Sequence, residues 1–171
     1  MKNITPASSQ DAEKILELQK LAYQSEKQFY YDFSIAPLTQ TLQELRSEFV
    51  EKVFLKAQVA DKIVGSVKGS QEGSTCFIER LIVHPDYQGQ GIGTALMEQI
   101  ESCFERAQRF ELFTGHNCER KFIFTSGTDT RVSSVRKQTK TCLSCSWRNT
   151  NRVANKKAQR GSFHAALLVL V

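Results

Sequence analysis

Ile78-Glu79-Arg80-Leu81-Ile82-Val83-His84-Pro85-Asp86-Tyr87-Gln88-Gly89-Gln90-Gly91-Ile92-Gly93-Thr94-Ala95-Leu96-Met97 joins three local patterns in one stretch. Cys76 to Val83 is rich in β-branched and apolar residues, the composition of a buried strand. Glycines follow at 89, 91 and 93, and Ala95, Leu96, Ile100 and Phe104 then recur at helical spacing. A strand running into glycines lets backbone N–H groups converge on an anion, and the helix beyond adds the positive end of its dipole. The pattern predicts a phosphate cradle. It lacks the Gly-Lys-Ser/Thr ending of a nucleotide P-loop, and its Gly-x-Gly-x-Gly is out of step with the dinucleotide Gly-x-Gly-x-x-Gly.

Upstream, Asn3 to Thr5 is a candidate first strand, and Ser9-Gln10-Asp11-Ala12-Glu13 is a helix start with acidic residues at the positive end of the dipole. Ile15, Leu16, Leu18, Leu21 and Ala22 supply the apolar face of that helix. After Pro37, the recurrence of Leu38, Leu42, Leu45 and Phe49 predicts a second amphipathic helix. Val53 to Val59 and Ile63 to Lys68 are strands joined by the Asp61-Lys62 turn, and Gly73 marks the turn before the next strand. Downstream of the glycine loop and its helix, Phe110 to Thr114 is one more strand. The order β-α-α-β-β-β-α-β mixes hairpins with one βαβ crossover, so an α/β fold with a mixed sheet is expected.

The chain has 171 residues, enough for one domain with a substantial core. Its apolar fraction of 40% and charged fraction of 24% are those of a globular protein, and no apolar run approaches the roughly 20 residues of a membrane span. Met1 to Gln10 has neither the basic start nor the apolar stretch of a secretory signal, so a cytoplasmic location is expected, with the five cysteines as free thiols. The net charge of +5 conceals an asymmetry. Residues 1–119 carry 12 Lys+Arg against 17 Asp+Glu, whereas residues 120–171 carry 11 against Asp129 alone.

Gln88-Gly89-Gln90-Gly91-Ile92-Gly93, behind its Leu-x-Val-His-Pro-x-Tyr lead-in, resembles the pyrophosphate loop Gln/Arg-x-x-Gly-x-Gly/Ala of the GNAT superfamily of N-acetyltransferases. The match extends over residues 1–120. The resemblance implies a mixed, mostly antiparallel central sheet flanked by helices, with acetyl-CoA as co-substrate and no metal. It implies that backbone amides of Gln88, Gly89, Gln90, Gly91, Ile92, Gly93 and Thr94 hold the pyrophosphate, and that Leu81, Ile82 and Val83 line the pantetheine arm. Acyl transfer needs a neutral amine, and deprotonating one of lysine-like pKa at pH 7 costs roughly 4–5 kcal/mol. Glu79 is the candidate base, as family members often place a glutamate on this strand. The alternative is that Glu79 pairs with Arg80 or another cation. The Leu81 amide is a candidate oxyanion donor, and His84 and His116 are read as loop caps. Tyr23 to Phe33 is a candidate border of the acceptor pocket. The expected partners are a small-molecule or peptide amine, not a membrane or nucleic acid, and a homodimer is left open.

After Glu119 the family pattern should continue as Arg-Asn, a helix ending Tyr-x-x-x-Gly-Tyr, and two closing strands. Instead Ser126 to Asn151 is rich in Ser, Thr, Arg and Lys with weak periodicity, as poorly ordered chain is. Permitted synonymous codons for residues 121–153, shifted by one base, encode Tyr-Gln-Arg-His-Gly-Tyr in register, an alternating strand, and a stop near Asn155. A single-base deletion near Lys121 is therefore inferred, with residues 121–171 an out-of-frame basic tail, Thr125 in the place of the family's thiolate-protonating tyrosine, and the closing strands lost. Two rival readings of the tail are weaker. Cys142 and Cys145 with Cys118 and His164 make at most half a zinc site, and the tail's lysines and arginines bring few interleaved aromatics for nucleic acid.

Overall fold

In the computed structural model, which describes residues 3–25, 36–115, 130–139 and 142–149, one seven-stranded sheet organises the chain. Its elements are β1 (Asn3–Pro6), α1 (Ala12–Ser25), α2 (Ala36–Thr39), α3 (Leu42–Glu48), β2 (Val53–Val59), β3 (Lys62–Glu72), β4 (Thr75–Val83), α4 (Ile92–Cys103), β5 (Arg109–Gly115), β6 (Thr130–Thr139) and β7 (Cys142–Asn149). Strand order is β1-β2-β3-β4-β5-β7-β6. All pairs are antiparallel except β4 with β5, which α4 joins as a crossover. This is the expected mixed, mostly antiparallel sheet.

Each face of the sheet is set by strand alternation. Gly65 and Gly69 on β3 face α4 at very close range: a Cβ on Gly65 would lie 2.9 Å from Ile92 Cγ2 and 3.0 Å from Leu96 Cδ1, and one on Gly69 would lie 2.9 Å from Phe104 Cε2. Ser66 and Lys68, one residue out of phase, point to the other face, where α1 and α3 lie. Ala12, Ile15, Leu16, Leu18 and Ala22 of α1 are buried there, while Leu21 is exposed and the inward place between Leu18 and Ala22 belongs to Gln19, whose Nε2 donates to the Pro37 carbonyl at 2.8 Å. Asp11 fastens the start of α1 to the sheet. It closes a capping box with Ser8 and accepts from Lys56 Nζ on β2 at 2.7 Å. Burial alone would push the Asp11 carboxyl up, but Lys56 and Ser8 together hold it below its ordinary value.

Two expectations need correction. The helix read from Leu38 to Phe49 is two helices, because Thr41 and Glu44 form a reciprocal capping box that starts α3 afresh, and Phe49 is its C-cap. The closing strands are also present. β7 pairs with β5 from Phe110↔Trp147 to Gly115↔Cys142, and β6 pairs with β7. Leu143, Cys145 and Trp147 alternate with Ser144, Ser146 and Arg148, a period of two that suits a strand, and β5 otherwise leaves a row of backbone groups unpaired. The place expected for the Tyr-x-x-x-Gly-Tyr helix, Thr125 included, lies outside the described residues up to position 129, as do residues 26–33 of the candidate pocket border and His116, Cys118 and His164.

Replacing Gly65 with valine should cost about 1–3 kcal/mol of stability, because the Ile92 and Leu96 side chains must give way to admit the new one. Denaturant unfolding monitored by circular dichroism checks this, the expected change being a lower midpoint at unchanged slope.

Candidate functional site

β4 carries the site, and its irregularity shapes it. Lys68 is opposite Glu79 and Ser66 is opposite Ile82, so Arg80 and Leu81 together face Val67 across a β-bulge. Arg80 has φ +52°, a left-handed conformation that L side chains rarely adopt. Its guanidinium lies 5.9 Å from the centre of the Tyr23 ring on α1, and its Nε is buried without a hydrogen-bond partner among the described residues. On the other edge, β4 and β5 pair in parallel only from Thr75↔Arg109 to Ile78↔Leu112. Beyond Ile78, among the described residues, β4 has no strand on its β5 side, although β5 itself runs on to Gly115. A split therefore opens in the sheet at Glu79, and Leu81, Ile82 and Val83 line its β4 side with their side chains buried.

At the open end of that split stands the glycine loop. His84 ends β4, and its Nδ1 accepts from Asp86 N at 3.3 Å to cap a single 3-10 turn, Pro85–Tyr87. Its Nε2 faces Lys62 Nζ at 3.0 Å, and its ring meets Tyr87 edge-on at 5.5 Å. His84 is thus the loop cap that the sequence suggested. Gln88 turns its side-chain amide back to the Val83 carbonyl at 3.4 Å, and Gln90 turns its own to the Asp86 carbonyl at 3.3 Å. Gly91 is the N-cap of α4 in the left-handed conformation, φ +75°, and Gly89 has φ +70°. Nothing lies within 4 Å of where a Cβ would stand on either. Their role is conformational: they set the turn that leads into the first turn of α4.

The amides of that first turn are the binding capacity of the loop. Ala95 N makes the first helical bond, to the Gly91 carbonyl at 3.1 Å, so the N–H groups of Ile92, Gly93 and Thr94 are the orphan donors of the first turn. Among the described residues they have no backbone acceptor. The Thr94 hydroxyl is buried beside them, also without a partner. Oriented amides at the positive end of a helix, with an unsatisfied hydroxyl, suit a phosphate or diphosphate. All seven residues from Gln88 to Thr94 that the sequence assigned to this role come together in the loop and first turn of α4.

Glu79 sits at the closed end of the split, inside a four-charge cluster that the sequence did not reveal. Lys52 Nζ, from the turn before β2, donates to both carboxylate oxygens, at 3.0 and 2.9 Å. Lys68 Nζ lies 3.6 Å from Glu79 Oε2 and also pairs with Glu48 of α3. Glu48 in turn accepts from Gln40, and Gln40 from Gln19. Phe54, Lys68 and Glu79 lie opposite one another in adjacent strands, so one row crosses the α1/α3 face. Lys68 is 2% exposed, and burial lowers its ammonium's pKa although Glu48 and Glu79 oppose the shift. Glu79 therefore pairs with lysines, not with Arg80. Elsewhere, burial pushes the Cys76 thiol up to about 12, which makes it inert. Among the described residues no three His, Cys, Asp or Glu gather as metal ligands, and no helix is long and apolar enough to cross a membrane.

Comparison with known proteins agrees with this geometry. The sequence profile described as Acetyltransferase (GNAT) family matches residues 13–121. An acetyltransferase of Sodalis glossinidius is 45% identical over 49 residues, covering 29% of this chain and 34% of that protein. One of Pectobacterium atrosepticum is 45% identical over 49 residues, covering 29% and 35%. The matched stretch thus spans about a third of the length of these curated relatives. Among solved structures, the PaiA N-acetyltransferase of Thermoplasma acidophilum, in complex with coenzyme A, superposes with a TM-score of 0.72 at 16% identity, covering 84% of this chain and 98% of its own. The ribosomal-protein-S18-alanine N-acetyltransferase of Escherichia coli gives 0.67 at 13% identity, covering 94% and 100%. At these identities the likeness concerns the fold alone.

The bulge can be tested directly. Arg80→Val places a β-branched residue at positive φ and removes the Tyr23 contact, so it should destabilise the chain by about 1–3 kcal/mol, read as a drop in thermal midpoint.

Proposed function

This chain belongs to the GNAT family of acetyltransferases, and on that premise we propose that it transfers the acetyl group of acetyl-CoA to a primary amine of a small molecule or protein. The observation that carries the reading is one alignment of features. The glycine cradle, with its unpaired amides and the Thr94 hydroxyl, lies at the mouth of a split in the sheet whose closed end is Glu79. A ligand with a diphosphate at one end and a reactive group at the end of a narrow arm fits that alignment.

When bound, acetyl-CoA supplies an activated acyl carbon. The residues of the chain do the rest. Ile92, Gly93 and Thr94 donate N–H groups to the diphosphate, with Gly89 and Gly91 setting the turn. Leu81, Ile82 and Val83 offer the edge of β4 to the arm, and their burial excludes water. The Leu81 amide, within the bulge, donates to the developing oxyanion. Glu79 takes the proton of the acceptor amine. In the resting chain both its oxygens are engaged by Lys52, so the acceptor must displace that ammonium or share the carboxylate with it.

A second reading keeps the cofactor site without turnover. It is favoured by the absence of Tyr-x-x-x-Gly-Tyr after Glu119, with Thr125 where the tyrosine is expected to protonate the leaving thiolate, and by the one-base shift that restores the motif. On this reading residues 121–171 are out-of-frame sequence, of which β6 and β7 still pair onto the sheet of the transferase domain. An intact reading frame in source DNA across codons 115–156 would remove its basis.

Under the first reading, acetyl-CoA at about 100 times its Kd stabilises the chain by about 2.7 kcal/mol, and thiol is released in the presence of a panel of primary amines. Glu79→Gln should lower kcat by roughly 10²-fold or more while leaving coenzyme A stabilisation in place. Stabilisation without thiol release for any amine supports the second reading. No stabilisation at all contradicts both.

A further inference from the structure

Glu79 already holds an amine. The two lysines of the cluster differ in how they reach it. Lys68 comes up from β3, is 2% exposed, and is shared between Glu48 and Glu79. Lys52 reaches in from the turn before β2 with its side chain 20% exposed, and its Nζ touches both Glu79 oxygens and no other carboxylate among the described residues. Its main chain is anchored, since Lys52 N donates to the Glu48 carbonyl at 2.9 Å, so the amine is delivered by a short, tethered arm. Glu79 is also the first residue of β4 past the last β4–β5 pair, Ile78↔Leu112. The closed end of the split and the Lys52 amine are thus brought to the same carboxylate. A tethered nucleophile beside the base has the high effective concentration of an intramolecular reactant.

We propose that Lys52 is an acceptor for its own chain: with acetyl-CoA bound, Lys52 Nζ is acetylated in cis at the site headed by Glu79. The inference rests on the reading of Glu79 as the base beside the reactive end of the cofactor arm. In the step, the Lys52 ammonium first gives one proton to Glu79, which passes it to solvent; the Nζ lone pair so freed forms the N–C bond to the acetyl carbon and the C–S bond breaks, its electron pair leaving with sulfur. The second proton shed by Nζ passes to Glu79 and then to solvent, and the thiolate takes a proton from solvent. The products are N-acetyl-Lys52 and coenzyme A. Acetylation removes the Lys52 charge, so that among the described residues Glu79 keeps only Lys68 at 3.6 Å and one face of its carboxylate becomes open to an external ammonium. Self-acetylation thereby converts an occupied amine subsite into a vacant one.

The test is peptide mass mapping of the full chain over time with acetyl-CoA, beside Glu79→Gln and Lys52→Arg, with thermal stabilisation by coenzyme A measured on all three. Lys52 should gain an acetyl group roughly tenfold or more faster than exposed Lys14, at a first-order rate independent of protein concentration. The rate should fall by a similar factor in Glu79→Gln, which coenzyme A still stabilises. Lys52→Arg, which preserves an ion pair with Glu79, should lose one equivalent of incorporated acetyl. Lys52 modified no faster than Lys14, or equally fast in Glu79→Gln, overturns the inference while coenzyme A stabilisation leaves the cofactor reading standing. A chain that coenzyme A does not stabilise refutes the cofactor reading, and self-acetylation with it.

Discussion

Parallel pairing between β4 and β5 stops at Ile78 and Leu112, and one residue pair later the bulge at Arg80 turns β4 away within the sheet. Much else depends on that parting. It exposes backbone in the interior of a sheet, where N–H and C=O groups ordinarily bond to a neighbouring strand. It places Glu79 at the closed end of a narrow split and the Gly89–Thr94 loop at the open end. The cost is a non-glycine residue at positive φ, of order 1–3 kcal/mol, held by the Tyr23 contact and by the register of β3 on one side and β5 on the other.

The two faces of the sheet do different work around this split. On the α4 face the fit is tight: Gly65 and Gly69 give up side chains so that Ile92, Leu96, Ile100 and Phe104 can approach β3. That closeness fixes where the helix N-terminus, and so its orphan amides, point. The α1/α3 face carries charge. A 2%-exposed lysine is tolerated there only because Glu48 and Glu79 face it, and removing either would leave a buried ammonium poorly matched. The cluster links α1, α3, β3 and β4 through Gln19, Gln40, Glu48, Lys68 and Glu79, so the base candidate is positioned by a network reaching back to the first helix.

The local features of this fold were legible in the sequence. Strands β1 to β5 follow from β-branched runs and turn residues, α4 from the glycine loop and helical spacing, and the His84 cap from its place before Pro85. The cradle could be read because glycine at 89 and 91 has a conformational reason visible in one dimension. What depends on distant pairing could not be read. Nothing near Arg80 signals a left-handed residue, since no glycine stands there. Lys68 in an alternating strand reads as solvent-facing, and its burial is set by partners 20 positions earlier and 11 later. Lys52 and Glu79 are 27 residues apart and meet only when β2, β3 and β4 align. The Thr41–Glu44 capping box was present in the sequence, but the continuous apolar spacing from Leu38 to Phe49 concealed it. The strands β6 and β7 were obscured by the basic, serine-rich composition around them.

Amide hydrogen exchange with and without coenzyme A, read residue by residue, tests the central claim most directly. The account predicts slowed exchange at Gly89 to Thr94 and along Glu79 to Val83 on the opened edge of β4, with β1 and the β2–β3 turn unchanged. Unchanged exchange at both segments, or protection confined to another part of the sheet, would contradict the assignment of the split and its glycine cradle as the cofactor site.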